Sequence, residues 1–141
     1  MMSLARALVV GLVGTAVLSA FEPLERRWLG HVPPYSLAAL AARMRGVPIP
    51  IATRAALLLR WTYGPTWGVV YTRATRGIVP RHPVLEGIAL ATTICAFELA
   101  VIPAVGLVRP LRDWSRRELA ALYAHTLAFG LAAGLTRRAL A

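Results

Sequence analysis

Four ionisable side chains lie inside long apolar runs of the sequence: Glu22, Arg60, Glu98 and His125. A charge in a hydrocarbon layer is costly, so such residues normally pair with one another or face a polar cavity. A pair of this kind either fixes the register of two helices or borders a path for protons or a small solute. We therefore predict an intramembrane polar cluster of Arg60, Glu98, His125, Glu22 and Arg54.

The depth of each residue in its apolar run predicts which of them meet. At a rise of about 1.5 Å per residue, Arg60 and Glu98 both lie roughly 13 Å from the membrane end that carries the longest connector. His125 and Glu22 both lie about 8 to 9 Å from that end. We predict an Arg60–Glu98 ion pair and a second contact between His125 and Glu22.

His125 supports a further hypothesis, because Ala121 lies one helical turn before it on the same face. The small alanine leaves room for a flat macrocycle whose metal takes the imidazole as axial ligand. The segment 121–125 resembles the Ala-xxx-His pattern of bacterial light-harvesting polypeptides, which implies a bound tetrapyrrole. The alternative is a hydrogen-bonded core histidine without a cofactor. Cys95 is the single cysteine, so a disulfide or a cysteine-based metal framework within one chain is excluded.

Composition and charge indicate a membrane protein. Hydrophobic residues make up 57% of the chain and the mean hydropathy is +0.60, which is high for a soluble globular protein. The net charge is nevertheless +10, and all 16 basic residues are arginine. Apolar runs separated by arginine-rich loops explain both values, because basic residues concentrate at membrane ends. The basic residues form no separate face with base-stacking aromatics, which argues against nucleic-acid binding.

The fold is predicted from the apolar runs. A helix needs roughly 20 residues to cross a bilayer, and several runs are that long. Pro33 and Pro34 interrupt the first connector, and Ser36 is positioned to cap a short interfacial helix at 36–45. We predict an all-α fold that forms a single transmembrane domain over residues 1–141. Its four transmembrane helices are expected at about 7–24, 51–72, 87–108 and 119–136.

The four predicted spans resemble one another in pairs. Residues 11–22 and 87–98 both begin with glycine, remain apolar and end in Ala-Phe-Glu. In the second and fourth spans an aromatic-glycine step is followed by a second glycine four residues later. We predict two parallel-repeat hairpins related by a pseudo-twofold axis along the membrane normal, packed through glycine faces. The helix-packing residues are Gly64, Gly68, Gly130 and Gly134.

Topology follows from the arginines at the helix ends. Four crossings place both termini on one side, and more arginines flank the opposite side, which carries the longest connector. The positive-inside rule therefore favours the cytoplasm for the connector side and the periplasm for the termini. The first run is followed by Glu22-Pro-Leu-Glu-Arg-Arg without a small-residue cleavage site, so we expect it to remain as a span. The expected location is a bacterial inner membrane.

The glycine-rich spans with Tyr-Gly and Phe-Gly steps resemble small bacterial inner-membrane proteins of the YagU-like kind. The residues that carry this resemblance are 11–22, 61–71 and 125–134. The resemblance implies a location and no particular activity.

Three functional classes fit the pattern. The first is a non-catalytic accessory or assembly subunit of a larger membrane complex, favoured by the small size, the glycine faces and the aromatic edges. The second is a small transporter or channel protomer that uses the polar cluster. The third is a pigment- or haem-binding subunit that uses His125. We expect no enzymatic activity, and we expect as partners membrane lipids, other membrane-protein subunits or further copies of this chain.

Overall fold

The computed structural model describes residues 2–79, 81–106 and 108–141, and all the regular secondary structure in this part of the chain is helical. The all-α prediction is therefore confirmed for this part of the chain. Leu107, which the third predicted span included, lies outside the described residues. The helices are α1 (Leu4–Leu29), α2 (Leu37–Arg45), α3 (Ile49–Ala74), α4 (Pro83–Ala104) and α5 (Arg116–Ala139), with a 3₁₀ turn at Leu111–Asp113.

Helix α1 extends five residues beyond its predicted end at residue 24. It starts after Ser3, whose hydroxyl accepts a hydrogen bond from the Arg6 amide, and it ends at Gly30 in the left-handed conformation. Pro23 lies inside the helix and does not end it. Because the helix continues through this proline, Glu22 and Glu25 lie on one helix face.

Among the described residues, three helices are long and apolar enough to cross a membrane: α1, α4 and α5. This composition is that of a multi-pass membrane protein. Helix α3 has 26 residues, as many as α1, but is not among the three. It carries Arg54, Arg60 and Arg73 along with tryptophan and tyrosine side chains, which lower its hydropathy.

The packing of the helices determines which side chains meet. Helix α1 packs against both α3 and α5, α5 packs against α4, and α2 packs against α3. Large apolar side chains remain exposed on the long helices, among them Leu12, Leu58, Phe97 and Leu135. Such exposure is expected where lipid rather than water surrounds the bundle.

Glycines allow close backbone contact at two helix pairs. A Cβ atom on Gly11 of α1 would lie 2.5 Å from the carbonyl oxygen of Gly64 on α3. A Cβ atom on Gly87 of α4 would lie 2.6 Å from the carbonyl oxygen of Gly130 on α5. A side chain at these positions would separate the helices. The other two glycines predicted for helix packing also lie in these contacts, Gly68 against Gly11 and Gly134 against Gly87.

Arg137 joins the helices at one end of the bundle, called here the terminus end. Its Nη1 lies 2.6 Å from Glu86 Oε2, and its Nη2 donates to the carbonyl oxygens of Thr75 and Ile78 at 2.9 and 2.7 Å. The hydroxyl of Tyr71 donates to the same Glu86 oxygen at 3.0 Å. The buried guanidinium therefore connects α3, α4 and α5.

Glu118 has the corresponding role at the opposite end, called here the connector end. It is 1% exposed and completes a capping box with Ser115 at the start of α5. Its Oε1 lies 3.0 Å from His31 Nε2 and also accepts from Arg109. Trp114 packs against Tyr35 with ring centroids 5.9 Å apart, which brings the first connector onto the 109–115 segment.

Candidate functional site

A cavity of about 200 Å³ lies among the four long helices, toward the connector end. Segment 33–40 of the first connector and α2 closes it at that end. Trp67 of α3 and Phe97 of α4 approach each other across the cavity, with ring centroids 5.5 Å apart. Phe97 and Val101 line the cavity and are also 45% and 38% exposed, so the gap between α3 and α4 is its outer side. We call this space the central cavity.

Arg60 and Glu22 form the first polar pair in the wall of the central cavity. Arg60 Nη2 lies 2.5 Å from Glu22 Oε2, and Arg26 Nη2 donates to the other carboxylate oxygen at 2.7 Å. Arg60 Nη1 lies 3.5 Å from Ser19 Oγ. Both side chains of the pair are 13% exposed, so solvent screens their attraction little. Arg60 Nε is buried and has no hydrogen-bond partner in the described part of the chain.

Glu25 forms the second polar group with Tyr35 and His125. Its carboxylate is 3% exposed, accepts a hydrogen bond from the Tyr35 hydroxyl and lies 3.0 Å from His125 Nδ1. Burial, followed by the hydrogen bond to Glu25, raises the pKa of Tyr35 above its ordinary value. The phenol therefore remains a proton donor to the carboxylate.

Glu98 is the third carboxylate at the central cavity. Its Oε1 accepts a hydrogen bond from the Tyr63 hydroxyl at 3.1 Å. Among the described residues, no arginine or histidine lies within ion-pair distance of it. Its direct partner is therefore a neutral phenol, unlike the partners of Glu22 and Glu25.

No protein-family model, no curated protein and no solved structure matches this chain.

The predicted polar cluster meets at one cavity, but with different partners. Arg60 pairs with Glu22 instead of Glu98, because α3 packs directly against α1. His125 pairs with Glu25 instead of Glu22. Arg54 is exposed on α3 and does not belong to the described lining of the cavity, which corrects its inclusion in the cluster.

Glu25 is the functional residue that the sequence interpretation missed. The predicted first span ends at residue 24, which would leave Glu25 at the membrane interface. The available signal was the spacing of Glu22 and Glu25, which share a face if the helix continues. Ser36 also differs from its prediction, since it lies at the N-cap of α2 but its side chain makes no capping bond.

The region around His125 does not fit a tetrapyrrole. Ala121 is 1% exposed and packs in a cluster with Tyr35 and Trp114, so the flat space beside it is filled. The Nδ1 atom of His125 is bound to Glu25, and its ring packs against Tyr35 with centroids 5.9 Å apart. These contacts are those of a hydrogen-bonded core histidine.

The lining of the central cavity is mainly apolar and includes several polar side chains. Glutamate, arginine, histidine and tyrosine contribute the polar groups, and Trp67, Phe97, Phe129 and Ile94 contribute apolar surface. Among the described residues, no group of three or more histidine, cysteine or acidic side chains is arranged to hold a metal ion. A lining of this kind is typical of sites for small molecules that are mostly apolar and carry a polar group.

Proposed function

We propose that α3 is a fourth membrane span and that both termini lie on one side of a bacterial inner membrane. Its 26 residues correspond to about 39 Å of helix, more than the ~30 Å hydrocarbon layer. The pairing of Arg60 with Glu22 supports this proposal, because it neutralises the deepest arginine of the helix. The arginine-rich connector end supports a cytoplasmic side there and a periplasmic side for the termini.

We propose that α1–α3 and α4–α5 are two parallel repeats of one hairpin. The glycine contacts support this relation, since Gly11 meets Gly64 in one hairpin as Gly87 meets Gly130 in the other. The sequence repeat pairs the same glycines, since Gly87 follows Gly11 by 76 residues and Gly130 follows Gly64 by 66 residues. Equivalent positions therefore make equivalent contacts in the two hairpins.

We propose that the protein is a non-catalytic transporter or carrier protomer that binds a small, mostly apolar solute in the central cavity. The observation that carries this proposal is that polar groups from five segments converge on a space that side chains leave open. Ion pairs that only fixed helix register would not need this space.

Binding of small aromatic compounds to the purified protein in lipid nanodiscs tests this function. A panel of neutral, cationic and anionic compounds is compared by thermal shift and by quenching of tryptophan fluorescence. Val101→Trp fills the central cavity from the gap between α3 and α4 and should abolish binding. Val105→Trp, one turn further and 57% exposed, is the matched control and should bind normally. If no compound binds, or if both variants bind like the parent protein, the proposed function is wrong.

A second candidate function is that of an accessory subunit in a larger membrane complex. The observation that favours it is the outer face of α3, where Arg54 is exposed beside Leu58, which is 73% exposed. A partner helix seated there would cover the arginine. Leu58→Glu should then release a stoichiometric partner in native mass spectrometry, and Leu135→Glu, on an equally apolar site of α5 that is 53% exposed, should not.

A further inference from the structure

The carboxylates of the central cavity differ in how their charges are neutralised. Glu22 lies between two guanidinium groups, those of Arg60 and Arg26. Glu25 is bound by His125 and by the Tyr35 hydroxyl. In the described part of the chain, Glu98 has one direct partner, the neutral hydroxyl of Tyr63. It is therefore the one of these three carboxylates that has no charged side chain in direct contact among the described residues.

Three aromatic rings line the same cavity as Glu98, those of Tyr63, Trp67 and Phe97. Their ring centroids are 6.2 Å apart for Tyr63 and Trp67 and 5.5 Å apart for Trp67 and Phe97. Aromatic rings attract cations through their quadrupoles, most strongly where water is excluded. Carboxylate and rings together favour an organic ammonium group.

Other classes of ligand fit this cavity less well. An anion would meet three carboxylates, and Arg60, the arginine in the wall, is already bound to Glu22. A neutral solute would offer the Glu98 carboxyl group no charge-assisted hydrogen bond, which is roughly twice as strong as a neutral one. The volume of about 200 Å³ is smaller than that of typical drug sites and sets the ligand size at one aromatic ring with a short substituent.

We propose that the central cavity binds a small amphipathic amine, with the cationic nitrogen at Glu98 and the apolar part among Tyr63, Trp67 and Phe97. This inference rests on the proposed function of the cavity as a ligand site. It adds the chemical class of the ligand and the residue that selects it.

Benzyltrimethylammonium tests the inference, because its charge does not depend on pH. Neopentylbenzene is its neutral isostere, and 3-phenylpropanoate is an anion of similar size. The cation should bind the protein in nanodiscs at least about tenfold more tightly than either compound. Glu98→Gln keeps the size and the acceptor for Tyr63 and should weaken cation binding by at least about tenfold. Asp113→Asn removes an exposed charge outside the cavity and should leave binding unchanged.

A second variant keeps the test decisive if Glu98→Gln does not fold. Phe97→Leu retains an apolar side chain but removes the ring, so the cation should bind more weakly and the neutral isostere about equally. If Val101→Trp blocks binding but the neutral compound or the anion binds as tightly as the cation, the inference fails and the proposed function stands. If none of the three compounds binds to the folded protein, both are overturned.

Discussion

Arg60 of α3 is bound to Glu22 of α1, with 2.5 Å between Nη2 and Oε2. Both side chains are 13% exposed, so each would be an uncompensated, largely buried charge without the other. The pair therefore fixes the position of α3, the long helix that is not among the three candidate spans, against α1.

Disruption of this pair should be strongly destabilising. We expect Glu22→Ala and Arg60→Ala each to lower the free energy of unfolding in detergent by about 3–5 kcal/mol, because each leaves one charge buried without its partner. The exchange of the two residues, Glu22→Arg with Arg60→Glu, should recover part of the loss. Thermal and denaturant unfolding followed by circular dichroism measures both effects.

The control for this experiment exchanges Arg60 with Glu98, the partner that helix depth predicts. This exchange should recover no stability, since Glu98 is bonded to Tyr63 and not to Arg60. Recovery comparable to that of the Glu22 exchange would contradict the observed pairing.

The comparison of Glu22 with Glu98 also shows what sequence can predict about this site. Counting residues along a helix gives depth, and depth correctly brings Arg60, Glu22, Glu98 and His125 to one cavity. It does not give the partner, because two carboxylates at similar depth on different helices compete for one arginine. Packing of α1 directly against α3 decides the choice.

The limits of the sequence interpretation at Glu25 and α3 have equally local causes. Pro23 usually signals the end of a helix, but here α1 continues to Leu29 and brings Glu25 into the polar cluster. The helical elements themselves were predictable from apolar runs and from proline and glycine positions. The open space between α3 and α4 was not, because it depends on side chains from several segments.

The glycine contacts predict a graded effect of alanine substitution. Gly11→Ala and Gly87→Ala would each place a Cβ atom against the backbone of the facing helix, which cannot move aside. Overpacking of this kind costs about 1–3 kcal/mol. In Gly14→Ala the nearest atoms belong to the side chain of Phe129, 2.7 Å away, and not to the backbone of the facing helix. We expect similar losses of thermal stability for the first two variants and a smaller loss for the third; equal losses for all three would contradict the observed contacts.

The hydrogen bond from Tyr35 to Glu25 should stabilise the folded protein more than a hydrogen bond between two hydroxyl groups at the surface does. Tyr35→Phe leaves a buried carboxylate with one donor fewer, which we expect to cost about 1–3 kcal/mol. Tyr123→Phe is the matched control, because its hydroxyl meets Thr92 Oγ1 at 3.3 Å on the exposed surface. We expect a change of less than about 0.5 kcal/mol there. Equal losses of unfolding free energy in the two variants would show that the hydrogen bond to Glu25 stabilises the protein no more than the surface one does.

Tyr35 should also make stability depend on pH in the alkaline range. Burial and the bond to Glu25 raise the pKa of Tyr35, so the folded protein holds the phenolic proton more tightly than the unfolded chain does. The resulting stabilisation is complete below about pH 10, the ordinary pKa of tyrosine, and declines as the pH rises above it. Between pH 10 and 11, the unfolding free energy of the parent protein should fall more steeply than that of Tyr35→Phe, by up to about 1.4 kcal/mol per pH unit. Denaturant unfolding of both proteins in the same detergent at pH 8 to 11 measures the difference. Parallel curves would mean that Tyr35 titrates alike in the folded and unfolded states, and would contradict its buried hydrogen bond to Glu25.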